Sequence, residues 1–238
     1  MSAFLYGVAL QCKLDMRSKS LLITCYVLPL LFFAVMGGIF TSINPEAKQT
    51  LIQSMTVLGV SMGALIGLPP SLVEIYGSDI RKIYKANGVP LYLGLSAMYL
   101  SAFIHLMIMS VIILVIAPIA FDAALPASPL IYFVALAIFI AVSLSLGSIL
   151  GLAIKNQAKL TMISQMLFLP SMVLSGIMFP VDLLPAFLEI AGKLLPAAWG
   201  NVLLLDNAFN FTNLWPLLVI LLISVLLSGF LLRRLQSE

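Results

Sequence analysis

Six long apolar runs, separated by short polar punctuation, set the plan of this chain. Residues 21–41, 51–75, 91–121, 130–154, 160–177 and 214–232 are each apolar enough for a helix to cross a membrane. Such a crossing takes roughly 20 residues at about 1.5 Å each. Between the runs stand INPEAKQT, DAALPASP, KNQAK and NAFNFTN, and one longer polar stretch, EIYGSDIRKIYKANGVPL, over residues 74–91. The expected architecture is all-α and polytopic, with six transmembrane helices. Pro29 and the Gly37–Gly38 pair interrupt the first run, and Pro69–Pro70 predicts a kink or unwinding in the second. Gly59, Gly63 and Gly67 repeat every four residues in the second run, and Ser143, Gly147 and Gly151 do so in the fourth. Each set puts small residues on one helix face, where another helix can approach closely; packing within the chain is the preferred use.

Residues 1–20 precede the first run. Leu5, Val8, Ala9, Cys12 and Met16 follow helical spacing, with Gln11, Asp15 and Ser18 on another side. The expectation is an interfacial helix on the membrane surface, with Lys13, Arg17 and Lys19 toward headgroups or a partner. The first ten residues are apolar and the basic ones follow, the reverse of a secretory signal, so the N-terminus is expected to be retained.

The stretch over residues 167–199 does not behave as one span. It breaks at Ser175–Gly176, stays apolar, and is punctuated by Pro180, Pro185 and Pro196. Each proline removes a backbone donor and clashes with the turn before it. Open loop is equally excluded, because lipid cannot satisfy free backbone groups. The remaining solution is a span followed by short helices that dip into the outer leaflet and return, over residues 178–207. Glu189 and Lys193, four apart, are expected to pair on one face, with Leu184, Leu188, Ala191 and Leu195 as the opposite, membrane- or partner-facing stripe.

Composition narrows the class. Of 238 residues, 62% are hydrophobic and only 9% charged, against about a quarter charged in soluble domains. With the N-terminus in the cytoplasm, Lys13, Arg17, Lys19, Arg81, Lys82, Lys85, Lys155, Lys159, Arg233 and Arg234 fall inside, and Lys48 and Lys193 outside, as basic residues prefer. An odd number of spans would put Arg233–Arg234 on the wrong face. A plasma or bacterial inner membrane, with both termini cytoplasmic, is the expected location.

Chemistry is sparse. No GxxxxGK[ST] phosphate loop occurs, Cys12 and Cys25 show no metal-ligand pairing, and no metal or nucleic-acid partner is expected. Residues 51–73 and 130–154 contain no acidic side chain, which argues against a cation-coupled carrier built on buried carboxylates. His105, the one histidine, lies inside the third run. It is a possible polar site, for proton exchange or a substrate anion, or else an interhelical hydrogen bond from a neutral ring. A Ser–His arrangement would need Ser175 to reach it, and the spacing fixes no such contact. Arg81, Lys82 and Lys85 are interleaved with Ile80, Ile83 and Tyr84. A purely electrostatic lipid anchor would not need those apolar positions, so docking on a cytoplasmic partner is favoured.

Ser175, Gly176, Phe179, Pro180, Leu184, Pro185, Leu195 and Pro196 form a pattern, SG-x-x-F-P-x-x-x-L-P and then L-L-P, that resembles the region after the fifth span in permease subunits of type-2 ABC exporters. The resemblance covers nearly the whole chain. It implies one transmembrane permease domain over 1–238, with an interfacial helix at 1–20, a coupling-type cytoplasmic loop at 74–90 and an outer lid at 178–207. Ile80, Arg81, Lys82, Ile83, Tyr84 and Lys85 would touch ABC ATPase subunits. Ser175, Gly176, Phe179, Pro180, Leu184, Pro185 and Pro196 would form the lid. The chain itself would hydrolyse nothing and hold no cofactor, ATP and Mg residing on the ATPase. A second permease chain, identical or paralogous, and membrane lipids complete the implied partners, and an amphipathic or hydrophobic cargo would be carried outward. The alternatives are an ion- or proton-coupled secondary carrier, for which only His105 offers an ionisable group at mid-membrane, and a structural membrane subunit.

Overall fold

A proline cannot donate to the carbonyl one turn back, and two of the long helices answer that loss in the same way. A computed structural model describes residues 3–77, 83–84, 86–178, 181–206 and 210–237. Helix α1 is Ala3–Asp15 and α2 is Lys19–Ile43. Within α2, residues Ile23–Val27 widen into a π-turn, and Leu28 N–H bonds to the Ile23 carbonyl just before Pro29. Helix α3, Leu51–Tyr76, repeats the device: Gly63–Gly67 is a π-turn and Leu68 N–H reaches the Gly63 carbonyl ahead of Pro69–Pro70. The expected kink is therefore a widened turn, through which the helix runs on for another nine residues. The two π-turns pack against each other, Cys25 Sγ lying 3.1 Å from where a Cβ on Gly67 would stand.

Helix α4 is Leu91–Phe121, α5 is Pro129–Ala153 and α6 is Gln157–Leu174. Short helices α7, Ala186–Gly192, and α8, Pro196–Leu205, precede α9, Phe211–Ser237. Helix starts are capped as the sequence dictates: Ser18 Oγ accepts from Leu21 N–H and Asn156 Oδ1 from Lys159 N–H. The protein is an all-α polytopic membrane protein.

Helices α2, α3, α4, α5 and α9 are long and apolar enough to span. Helix α6 has 18 residues, about 27 Å, and carries Gln157, Lys159 and Gln165. Its course nevertheless crosses the body. It starts three residues past α5, whose Gly151 packs on Leu72 near the Tyr76 end of α3. It finishes at Ser175–Met178, which face Asn44–Ser54 at the opposite end. Helices α7 and α8 meet at 87°. They leave from that same end and hand over there to α9, where Asn213 Nδ2 donates to Asp206 Oδ2 at 2.7 Å. Helix α9 then runs back to the end where Leu232 adjoins Tyr92 and Phe4. The pair thus leaves and returns at one end of the body, while α6 runs between the two ends.

Helix α3 is the hub, buried without interruption over residues 51–65. Its glycines serve contacts inside this chain: a Cβ on Gly59 would meet Met109 and one on Gly63 would meet Leu106, both on α4. From α5, Gly147 seats its backbone against the Ala64 carbonyl. Polar ties join the spans, Thr56 Oγ1 with Tyr132 Oη at 2.9 Å and Tyr99 Oη donating to the Ala141 carbonyl at 2.6 Å. Loops 44–50 and 122–128 are held together by Lys48 Nζ and Asp122 Oδ2 at 3.3 Å.

The spacing noted in the sequence at α1 divides between two faces, with Val8 and Cys12 turned in and Leu5, Ala9 and Met16 exposed. The inward face carries Val8, Gln11, Cys12 and Asp15, whereas Leu5, Tyr6, Leu10, Leu14 and Met16 are exposed. Ser101 of α4 donates to Asp15 on that inward face. Lys13, Arg17 and Lys19 are exposed, as expected.

Candidate functional site

Three places carry the residues singled out by sequence. The first is the loop between α3 and α4. Ile80, Arg81, Lys82 and Lys85 lie outside the described residues. Ile83 is exposed, while Tyr84 is half-buried and turns back onto the body. Its ring edge lies 2.9 Å from where a Cβ on Gly94 would stand, beside the Tyr76 hydroxyl. Tyr76 Oη in turn donates to the Leu91 carbonyl at 2.6 Å. Two tyrosines thus clamp the loop to both helices it joins, and Gly88, at φ +64°, makes the turn into α4.

The second is the segment that follows the break at Ser175–Gly176. Ser175 caps α6 and Gly176 adopts φ +80°, the left-handed region that glycine enters without a Cβ penalty. Phe179 and Pro180 lie outside the described residues. Pro185 precedes α7 and Pro196 opens α8. Asn201 Nδ2 donates to the Ser175 carbonyl at 3.1 Å, so α8 is tied to the break itself. Gly192 lets α7 close on Leu174, and Gly200 lets α8 close on the Phe139 ring. Lys193 and Glu189 pair at 2.7 Å. Leu184, Leu188, Ala191 and Leu195 do not form the outward stripe. They are half-buried, and Leu183, Phe187, Ile190 and Leu194 are exposed instead, because the 87° bend folds the first set toward the body. A cavity of about 580 Å³ lies under the break, bounded by Asn44, Glu46, Thr50, Ser54, Gly176 and Met178.

The third is His105. It is buried, and its Nδ1 lies 2.7 Å from Tyr26 Oη, the interhelical hydrogen bond that was one of its two readings. Ser175 is at the far end of the molecule, donating to the Met172 carbonyl, and does not approach it. Although His105 is midway along α4, Tyr26 is only seven residues into α2, about 10 Å, so the ring sits nearer the Tyr76 end. Sequence reasoning missed the residue beside it: Asp15 accepts a hydrogen bond from Ser101, one turn before His105. The available signal was a matched spacing, Gln11 and Asp15 four apart on α1, Ser101 and His105 four apart on α4.

One exposed face stands out on α6, where Thr161, Met162, Gln165, Met166, Leu169 and Val173 are uncovered. Thr161 Oγ1 donates to the Gln157 carbonyl at 3.0 Å, and Gln165 is the amide side chain in that stripe.

The described residues form a multi-pass helical body, with the Tyr76 and Tyr84 contacts at one end and the bent α7–α8 pair at the other. The family model for ABC-2 type transporters matches residues 3–209, and this chain belongs to that family. No curated protein matches it. Membership makes the chain the permease subunit of an ABC transporter and gives it an ABC ATPase as partner.

Proposed function

We propose that this permease works outward, exporting an amphipathic or hydrophobic cargo, and that two permease chains and two ATPase chains form the working complex. The uncovered face of α6 carries this reading. Gln165 is exposed along α6, and an amide side chain there is poorly matched to lipid, whereas a second copy or a shared path would satisfy it. The methionines beside it suit a cargo surface that must adapt. The whole chain, 1–238, is read as one permease domain with both termini cytoplasmic in the plasma or bacterial inner membrane. ATP and Mg stay on the ATPase, and the chain itself catalyses nothing. ATP-driven closure of the ATPase would push on the 74–90 loop, and the Tyr84–Tyr76 clamp would pass the push to α3 and α4. Residues 178–207 would act as the outer lid. Family membership favours this ATP-driven reading over an ion-coupled carrier.

Two experiments test it. In a Cys12→Ser, Cys25→Ser background, Gln165→Cys is expected to form a disulfide-linked dimer in membranes, while Phe230→Cys on the lipid face of α9 is not. Monomer only from Gln165→Cys would refute the two-copy arrangement. Charge reversal of Arg81, Lys82 and Lys85 together is expected to cut ATPase co-purification about tenfold while insertion continues, since each lost ionic contact weakens docking. Undiminished co-purification would remove this loop as the dock.

A further inference from the structure

Helix α9 packs along α5 and scarcely meets α4, which leaves between α4 and α9 a slot of about 480 Å³ with α5 as its floor. Ligand sites run to about 300–1,000 Å³ and are mostly apolar with a few placed polar groups. Ser96 and Tyr99 of α4 form one wall, Ser228 and Gly229 of α9 the other, and Ser145 and Ser148 the floor. Small side chains make this space, and nearly every hydroxyl in it is already used. Ser96 Oγ donates to the Leu93 carbonyl at 3.1 Å, Ser145 Oγ to Val142 at 2.7 Å and Ser148 Oγ to Leu144 at 2.8 Å. With Tyr99 Oη turned onto the Ala141 carbonyl as well, the slot presents hydrocarbon. Ser228 is the exception. It is 7% exposed, and its Oγ is buried without a partner. A buried hydroxyl left unpaired is costly, and an incoming acceptor relieves it.

Gly229 gives a second, independent sign. Glycine weakens a helix interior relative to alanine, and on α3 and α5 close packing within the chain explains it. On α9 a Cβ at Gly229 would meet nothing within 4 Å. This vacancy belongs to an outward stripe, Leu222, Leu226, Gly229 and Arg233, spaced i, i+4, i+7 and i+11, and all four residues are exposed. The stripe is apolar down to the vacancy and cationic one turn beyond it, about 6 Å further along the axis. Hydrocarbon slot, free hydroxyl and cation thus follow in the order of acyl chain, ester carbonyl and phosphate in a glycerophospholipid. A second copy oriented alike and paired through this stripe would instead set Arg233 against Arg233, and like charges repel.

We infer that the slot between α4 and α9 binds one acyl chain of an anionic phospholipid, whose ester carbonyl accepts from Ser228 and whose phosphate rests on Arg233. Tyr92, the second residue of α4, closes the slot beside Phe4 and Leu232. The lipid therefore belongs to the leaflet at the Tyr76 end and braces the start of α4, directly after the 74–90 loop. Among the described residues none of α6 lines the slot, so this site is separate from the face read above as the path or the seam between copies.

Binding can be measured on the full-length protein without ATPase or cargo, so its failure is distinguishable from failure of the export reading. The protein is placed in phosphatidylcholine nanodiscs holding a trace of phosphatidylglycerol or phosphatidylcholine with a diazirine midway along one chain, and the crosslinked peptides are mapped by mass spectrometry. In the wild type, the phosphatidylglycerol probe is expected to label residues 92–100 and 225–232 about fivefold more than the phosphatidylcholine probe, the factor that one basic residue supplies toward anionic lipid. Arg233→Gln should bring the two probes to equal yield. Ser228→Ala should lower both yields about fivefold, through the loss of one hydrogen bond. Gly229→Phe, which fills the vacancy, should cut both about tenfold, or about 1.4 kcal/mol of lost binding, while Gly229→Ala labels nearly as the wild type does. Equal labelling by both probes in the wild type, or undiminished labelling of Gly229→Phe, overturns the proposal. If Gly229→Phe does not fold, unchanged labelling of both Ser228→Ala and Arg233→Gln overturns it. A disulfide-linked dimer from Gly229→Cys in the Cys12→Ser, Cys25→Ser background would also overturn it, by making the stripe a seam between copies.

Discussion

A Gly176→Leu protein is expected to assemble with its ATPase and hydrolyse ATP while cargo efflux falls about tenfold or more. Gly176 holds φ +80°, and a Cβ there would stand 2.8 Å from Val181 Cγ2 and 3.4 Å from Asn201 Nδ2. Forcing a branched side chain into the left-handed region costs about 1–3 kcal/mol, and a tenfold factor needs only about 1.4. The strain falls on the one turn that aims α7 and α8, since Asn201 ties α8 to the Ser175 carbonyl beside it. Nothing on the α3–α4 loop is touched, so ATPase docking and turnover should survive uncoupled. Gly176→Asn is the control, because asparagine tolerates the left-handed region better than other residues, and most efflux should return. Normal efflux by a stably expressed Gly176→Leu protein would end the lid reading. Loss of the folded protein in both variants would show that the turn serves assembly alone.

Gly147→Leu is expected to be the most destabilising single change in the spans. A Cβ on Gly147 would lie 2.0 Å from the Ala64 carbonyl oxygen, and that neighbour is backbone in a π-turn rather than a side chain that can swing away. Overpacking of this kind costs typically about 1–3 kcal/mol and sometimes more, and here helices α3 and α5 must separate along their contact. For a chain of this size each kcal/mol lowers Tm by about 2–4 °C, so a fall of about 5–10 °C in detergent is expected, with Gly147→Ala intermediate. Gly229→Ala, where a Cβ meets nothing within 4 Å, should leave Tm unchanged. Equal melting of Gly147→Leu and wild type would refute the close α3–α5 approach.

The spans were legible because lipid imposes a single requirement, a continuous apolar run, and the chain meets it in plain sight. The expected run at 91–121 and the helix Leu91–Phe121 coincide; the run at 160–177 sits three residues late, because Asn156 caps the helix ahead of Gln157 and Lys159. The four-residue glycine spacing on α3 announced close packing and did not name the partner helix. At Ser175–Gly176 the break was visible, since glycine between apolar runs has few other uses. Asp15 was not. A surface helix and a docked helix share the same alternation, and only the contact with Ser101 shows which face turns in. The expected leucine stripe failed for the same reason: helical spacing gives the two faces of α7, and the bend to α8 chooses between them.

The paired π-turns have a consequence for phase. Such a turn houses one residue more than the α-helical turn it replaces, and one residue is about 100° of rotation. Beyond Val27 and beyond Gly67, each helix therefore presents a different set of side chains than an unbroken helix of the same sequence would. Tyr26 lies within the first of these turns and Ala64, the seat of Gly147, within the second. Deleting one residue from either turn would restore regular winding and rotate half a helix out of register, so the two halves of α2 and α3 are indexed to each other by a single inserted amino acid.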